Sequence, residues 1–170
     1  MLRRVIFFLA CLVIVNTPLP AAPDPALITP ERSPAPPFTL PDLSGRAVKS
    51  ADFAGKVAVL SFGATWCTSC TSELKSLENL QAKFPKDLVV YFVALDGRGE
   101  KDVKPFMEKS GFQIPTLIDP RMAVAREHGI RWIPVTLVVD RHGTVVGRAT
   151  GPREWDGKEA VEFVQSVLQH

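Results

Sequence analysis

The sequence is short of several residue types, and each shortage excludes a class of protein. Its 170 residues include 3 cysteines, 3 histidines and 1 tyrosine, and the formal net charge is only +2. Without a charge excess or a basic stripe, the chain has no electrostatic means of holding nucleic acid. So few cysteines exclude a disulfide-stabilised scaffold. With 46% hydrophobic residues, however, the chain is too apolar to be disordered and long enough for one domain with a full core.

The N-terminal segment has the pattern of an export signal. Arg3 and Arg4 precede an apolar run of 11 residues, from Val5 to Val15. That length is typical of the core of a secretory signal and is well short of the roughly 20 residues that a membrane span requires. We therefore expect residues 1–22 to be a signal peptide or an uncleaved N-terminal anchor.

Prolines dominate the segment that follows. Eight of them fall between Pro18 and Pro37, among alanines and small polar residues without periodicity. This composition predicts an extended, semi-rigid linker over residues 23–37 and a folded domain over residues 38–170. Because Cys11 belongs to the leader, the domain keeps only two cysteines, Cys67 and Cys70.

Strand and helix patterns alternate along the domain. The predicted elements, in order, are a hairpin of Phe38–Leu40 with Ala47–Val48, strand Val57–Phe62, a helix with Leu74, Leu77, Leu80 and Phe84 on one stripe, strand Leu88–Leu95, helix Asp102–Ser110, strand Thr116–Ile118, helix Met122–His128, strands Val135–Val139 and Thr144–Ala149, and a last helix opened by a capping box of Asp156 and Glu159. This order predicts an α/β fold with a central mixed β-sheet, parallel in its first part and antiparallel at the final hairpin.

The two cysteines of the domain are placed where chemistry is expected. Cys67 follows a buried strand and lies at the first turn of a predicted helix, where unpaired N–H groups stabilise a thiolate. Cys70 lies three residues on, on the same helix face and one turn deeper. The pattern favours an exposed nucleophilic sulfur with a shielded resolving sulfur, as disulfide exchange requires.

A metal site is the weaker alternative for this pair. Structural zinc needs four ligands, and the sequence has neither a second CxxC nor a CxxH pair. His128, His142 and His170 fall at a helix end, in a turn and at the chain terminus, so we expect surface residues. No metal and no other cofactor is predicted.

Four segments form a recognisable pattern: Phe62-Gly-Ala-Thr-Trp-Cys-Thr-Ser-Cys70, Ile130-Arg-Trp-Ile-Pro-Val-Thr136, Val138-Val-Asp-Arg-His-Gly143 and the ending Gly151-Pro152-x-x-Trp155. The first three resemble the thioredoxin-like family, and within it the exported TlpA/ResA/CcmG-type thiol-disulfide oxidoreductases. The ending is similar to the TlpA branch, which the chain resembles most. The resemblance implies a thioredoxin-like fold: a central mixed β-sheet with helices on both faces, an N-terminal hairpin and an extra helix–strand insertion between Asp96 and Pro120.

The resemblance also implies a role for individual residues. Cys67 is the attacking thiolate, Cys70 is the resolving thiol, and the two form a redox disulfide. Pro134 is a cis-proline that, with Ile133, faces the cysteines and binds the substrate backbone. Trp66 and Trp132 border the exposed sulfur and contact substrate.

Glu73 matches a carboxylate that ResA-like members place three residues after the second cysteine. On the same helix face as Cys70, it can exchange a proton with that thiol. A first-turn glutamate favoured by the helix dipole is the alternative. The chain departs from its relatives at Ser61, where thioredoxin has a buried aspartate, and at Trp132, where glycine is common.

The expected function is that of a periplasmic thiol-disulfide oxidoreductase that reduces disulfides in exported proteins. By resemblance, its clients are the cysteines of apocytochrome c or of copper sites. Its electrons come from a membrane thiol donor of the DsbD/CcdA kind, and an N-terminal membrane tether is possible. The alternatives are a peroxiredoxin-type peroxidase and a non-catalytic thioredoxin-like metal carrier or adaptor.

Overall fold

The computed structural model describes residues 28–170. The predicted signal peptide or anchor over residues 1–22 and the first part of the predicted linker lie outside the described residues. Within residues 28–170, no helix combines the length and the apolar character needed to cross a membrane.

A six-stranded mixed sheet forms the centre of the domain. The strands of the described residues are β1 (Ile28–Pro34), β2 (Thr39–Pro41), β3 (Ala47–Lys49), β4 (Val57–Gly63), β5 (Leu88–Ala94), β6 (Thr116–Ile118), β7 (Val135–Val139) and β8 (Thr144–Thr150). Their order in the central sheet is β1-β8-β7-β4-β5-β6, and β2 and β3 form a separate hairpin. The strands β4, β5 and β6 are parallel, whereas β7, β8 and β1 pair antiparallel. The predicted division of the sheet into a parallel and an antiparallel part is confirmed.

Helices cover both faces of this sheet. They are α1 (Thr68–Thr71), α2 (Leu74–Lys83), α3 (Glu100–Ser110), α4 (Ala123–Glu127) and α5 (Lys158–Leu168), with one 3-10 helix at Ser50–Phe53. Side chains alternate along β4, so that Val57 and Val59 pack with α2, α3 and α5 in one apolar cluster. Ala58, Leu60 and Phe62 pack with α4 and the β2–β3 hairpin in another. We call these two sides the α2 face and the α4 face.

The predicted hairpin and insertion are both present. The strands β2 and β3 pair antiparallel around a turn in which the Asp42 carboxylate accepts hydrogen bonds from the Ser44 and Arg46 N–H groups, at 2.8 and 3.0 Å. Asp42 also forms a bridge with Leu117 of β6, so that the hairpin adjoins that end strand of the sheet. The insertion supplies α3 and β6.

The linker prediction over residues 23–37 is wrong for residues 28–34, which form β1. This strand pairs with β8 from Ile28–Ala149 to Pro34–Thr144, and Arg148 Nε donates to Glu31 Oε2 at 2.9 Å. Its prolines are tolerated because β1 is an edge strand, where a missing N–H faces away from the sheet. A composition rich in proline indicated a linker, and pairing with a distant strand overrode it.

The predicted capping box at the start of α5 is also wrong. The helix begins at Lys158 with Gly157 as its N-cap, and no side chain caps it. Asp156 instead accepts a hydrogen bond from Asn79 Nδ2 at 2.7 Å, which ties the approach to α5 to helix α2.

Candidate active site

The two cysteines of the domain lie just beyond the C-terminal end of β4. Cys67 is the N-cap of α1, Cys70 is inside that helix, and a disulfide joins them with a Cα–Cα distance of 5.2 Å. Cys67 is partly exposed, whereas Cys70 is only 1% exposed. The structure therefore contains the outer and inner sulfurs that the sequence predicted.

Hydrogen-bond donors surround the outer sulfur. The backbone N–H of Cys70 donates to Cys67 Sγ at 3.3 Å, and the hydroxyl of Ser69 lies 3.3 Å from the same atom. In the reduced protein these groups are placed to stabilise a thiolate on Cys67, because donors favour the charged form of a thiol.

The loop before Cys67 is held by a residue that sequence analysis missed. Asp96 is fully buried after β5, and its carboxylate accepts from the Thr65 backbone N–H at 3.1 Å and from Thr65 Oγ1 at 2.5 Å. The available signal was an aspartate at the C-terminal end of the strand beside β4, where such sheets carry their sites. Asp96 thus fixes the turn that carries Trp66 and Cys67.

Gly63 lets the end of β4 approach the inner cysteine. A Cβ atom at this position would lie 2.8 Å from Cys70 Cβ and 2.8 Å from Phe92 Cε2, closer than such atoms pack. A glycine is therefore required where the strand passes behind the disulfide.

The predicted substrate-binding residues lie on two loops. The Ile133–Pro134 peptide bond is cis, as the resemblance implied, and the carbonyl of Pro134 accepts from the Gly151 N–H at 2.9 Å. Pro134 is buried and Ile133 half-buried, whereas the side chains of Trp66 and Trp132 are 72% and 61% exposed. These two are the large hydrophobic side chains most exposed among residues 28–170.

Glu73 is buried on the α2 face rather than exposed in a first helical turn. It is 2% exposed and lies between α1 and α2 as the N-cap of α2. Its Oε1 accepts from Ser61 Oγ at 2.7 Å and from Thr136 Oγ1 at 3.4 Å, and its Oε2 accepts from the Arg153 backbone N–H at 3.3 Å. Burial raises the pKa of Glu73 to about 7, although the hydrogen bonds from Ser61, Arg153 and Thr136 act to lower it.

The departure at Ser61 is explained by this carboxyl group. Ser61 on β4 and Thr136 on β7 are paired across the two strands and both lie on the α2 face, below Glu73. At this position the strand supplies a hydroxyl donor, and the buried carboxyl group of the site is supplied by Glu73 at the start of α2. Thr136 lies two residues after Pro134, so β7 connects the cis-proline loop to the surroundings of Glu73.

The prediction that all three histidines are surface residues is wrong for His128. This side chain is 5% exposed, lies near Phe38 and Phe62, and its Nδ1 lies 2.9 Å from the Val124 carbonyl oxygen. A surface position was expected because a helix end is usually solvated. Here the rings of Phe38, just before β2, and of Phe62, on β4, lie against the imidazole. His142 and His170 are exposed as expected. Within the described part of the chain, no three His, Cys, Asp or Glu side chains form a metal-binding group.

A thioredoxin-like sheet with a CxxC disulfide at the end of its central strand defines a thiol-disulfide oxidoreductase. The chain belongs to the AhpC/TSA family, whose model matches residues 32–148.

Two kinds of relative agree with this class. The thiol-disulfide oxidoreductase ResA of Geobacillus thermodenitrificans is 33% identical over 119 residues, which are 70% of this chain and 68% of that protein. ResA of Bacillus thuringiensis subsp. konkukian is 32% identical over 137 residues, 79% of this chain and 75% of that protein. Among solved structures, one described as the thiol:disulfide interchange protein DsbE of Chlorobium tepidum superposes with a TM-score of 0.75 at 28% identity, covering 82% of this chain and 99% of that one.

Proposed function

We propose that this chain reduces disulfides in protein clients, with Cys67 as the attacking residue and Cys70 as the resolving one. The observation that carries the proposal is the unequal exposure of two sulfurs in one disulfide, since only Cys67 is open to a client. The Cys67 thiolate attacks one client sulfur, a mixed disulfide forms, and the other client sulfur leaves as a thiolate. The Cys70 thiolate then attacks Cys67 Sγ and releases the second client sulfur, so that the client gains two electrons and the protein is left as the disulfide.

Glu73 is proposed as the group that exchanges a proton with Cys70. A general base works best when its pKa is close to the operating pH, and burial brings the pKa of Glu73 to about 7. Glu73 is the buried carboxyl three residues after Cys70, on the same inner side of the site. It accepts the Cys70 proton when that thiol attacks and returns a proton when the disulfide is reduced again.

Trp66, Trp132, Ile133 and Pro134 are proposed to bind the client. The two exposed indoles offer an apolar border to a peptide that approaches Cys67, and aromatic side chains contribute strongly to such contacts. The Pro134 carbonyl accepts from Gly151, which fixes the loop, and the client backbone is placed against the neighbouring Ile133.

We propose a periplasmic location, with exported proteins as clients. The ResA-type relatives and the predicted export signal support disulfides of exported proteins as substrates. The clients that we propose are the cysteines of apocytochrome c or of copper sites, and the proposed source of electrons is a membrane thiol donor of the DsbD/CcdA kind. The N-terminal segment would tether the domain to the membrane if it is not cleaved.

Trapping of mixed disulfides tests the roles of the two cysteines. The Cys70→Ser variant is expected to accumulate a covalent adduct with a client peptide, because Cys67 still attacks and nothing resolves the product. The Cys67→Ser variant is expected to trap none, since the remaining sulfur is buried. Adding Trp132→Gly to Cys70→Ser is expected to lower the yield of adduct. Equal trapping by the two single variants would contradict the assignment.

The direction of electron flow is tested by titrating the disulfide against glutathione. A reductase is expected to equilibrate well below the potential of strong protein oxidants, which lie near roughly −120 mV. A value in that oxidising range would overturn the reductase proposal while leaving the oxidoreductase class intact. Consumption of hydrogen peroxide by the reduced protein, measured in the same series, would favour the peroxidase alternative instead. Tight retention of copper or zinc by two unreactive thiols would favour the metal carrier.

A further inference from the structure

The segment Gly151–Trp155 supplies no reacting group to the disulfide exchange described above, and it packs against Glu73. The Arg153 N–H donates to Glu73 Oε2 at 3.3 Å, and the Trp155 N–H donates to Ser76 Oγ at 3.0 Å. Ser76 in turn donates to the Glu73 backbone carbonyl at 2.8 Å. The segment is therefore fixed against the start of α2, beside the buried carboxyl group.

Trp155 carries a donor that finds no acceptor in the disulfide form. Its side chain is fully buried, and within residues 28–170 its indole Nε1 has no hydrogen-bond partner. Buried N–H groups in native proteins are nearly always paired, so an exception needs an explanation. The indole nitrogen can only donate, so its partner must be an acceptor.

The carboxyl group of Glu73 has room for that donor. An ionised carboxylate accepts at about four positions, and Glu73 receives two donors on Oε1, at 2.7 and 3.4 Å, and one on Oε2, at 3.3 Å. As a hydrogen-bonding group the Trp155 side chain lowers the pKa of Glu73, although it does not reach Glu73 in formed hydrogen-bond geometry. Together with the backbone contacts of Arg153 to Glu73 and of Trp155 to Ser76, this places the indole near the Glu73 carboxyl group without a formed hydrogen bond.

We propose that the indole N–H of Trp155 is a donor held for the ionised form of Glu73, which makes Trp155 a positioning residue of the dithiol site. Negative charge on the Glu73 carboxylate draws the indole into a hydrogen bond, and protonation of Glu73 releases it. The groups that face Glu73 are the hydroxyls of Ser61 and Thr136, the Arg153 N–H and the Trp155 indole. The Arg153 guanidinium lies 5.3 Å from the centre of the Trp155 ring. The catalytic relevance of this contact rests on the proposed proton role of Glu73.

Nuclear magnetic resonance of the disulfide form tests the proposal, because no thiol titrates there. The indole N–H resonance of Trp155 is identified with Trp66→Phe and Trp132→Phe variants. As pH is varied, its chemical shift is expected to change with the same midpoint as the chemical shift of the Glu73 carboxyl carbon. In Glu73→Gln that movement is expected to vanish. The proposal would be overturned if the Trp155 chemical shift did not change at the Glu73 midpoint, or if it changed by the same amount in Glu73→Gln.

Substitution gives a second arm. Trp155→Phe is expected to raise the Glu73 midpoint by about half a pH unit, a threefold change in its proton affinity. Ser61→Ala, which removes the 2.7 Å donor, is expected to raise it further, whereas Trp66→Phe and Ser166→Ala leave it unchanged. An unchanged midpoint in a folded Trp155→Phe protein would contradict the proposal. Should Trp155→Phe fail to fold, the resonances of the unmutated protein and of Glu73→Gln decide. Client trapping is not involved, so a failed reductase proposal leaves this result standing.

Discussion

Glu73 and His128 are buried ionisable side chains on opposite faces of the sheet, and their surroundings differ. Glu73 on the α2 face receives donors from β4, from β7 and from the segment after β8. His128 on the α4 face has one backbone partner, the Val124 carbonyl, and lies near Phe38 and Phe62. Burial raises the pKa of Glu73 to about 7 and lowers the pKa of His128.

The comparison shows that burial alone does not identify an ionisable side chain as functional. Both side chains favour their neutral form, as desolvation requires. Only Glu73 has donors arranged for its charged form as well, so only Glu73 can change its protonation state within the fold. Among residues 28–170, His128 has no acceptor placed to stabilise its protonated form at Nε2, because that atom has no hydrogen-bond partner there. We infer that Glu73 serves the reaction and that His128 serves packing.

The largest difference between the two is expected in activity. Glu73→Gln should slow client disulfide reduction about 100-fold, because a general acid–base group typically contributes that much or more. His128→Gln should leave the rate within about twofold, because the residue lies on the opposite face of the sheet. Single-turnover reduction of a disulfide peptide measures both. Comparable losses in the two variants would break the distinction between the faces.

The second difference concerns stability at rising pH. The folded protein binds the Glu73 proton more tightly than the unfolded chain, so this contribution is complete below pH 4.5 and is lost as pH rises through about 7. Relative to Glu73→Gln, the free energy of unfolding of the disulfide form should fall by about 3 kcal/mol between pH 4 and pH 8. Urea unfolding of both proteins across this range measures the change. A difference that stays constant with pH would show that Glu73 does not titrate as described.

The smallest effect is expected from His128, with the opposite sign. Because burial lowers the pKa of His128, the unfolded chain binds a proton at this residue at a higher pH than the folded protein does. The stabilisation is therefore present above the ordinary histidine pKa of 6.5 and is lost as pH falls below it. His128→Gln should flatten this acid limb of the urea-unfolding profile, whereas the exposed His142→Gln should not. An unaltered acid limb in His128→Gln would assign the loss to other groups.

Much of the fold was accessible from local patterns. The buried strands β4 and β5, the helix after Glu100 and the final hairpin were predicted to within a few residues, because apolar periodicity and glycine stops depend on neighbouring residues. The strand β1 was missed, since its composition is that of a linker and only its pairing with β8 makes it part of the sheet.

For the site, the sequence by itself determined the pair of sulfurs. A buried strand, a turn of three residues and a CxxC at a helix start are all local features, and they placed Cys67 outside and Cys70 inside. Only the tertiary structure decided the state of Glu73. Its donors come from residues 12, 63 and 80 positions away in the chain, and the desolvation that acts on it depends on three elements packing together. Ionisation responds to everything within a few ångströms, whatever its distance along the sequence.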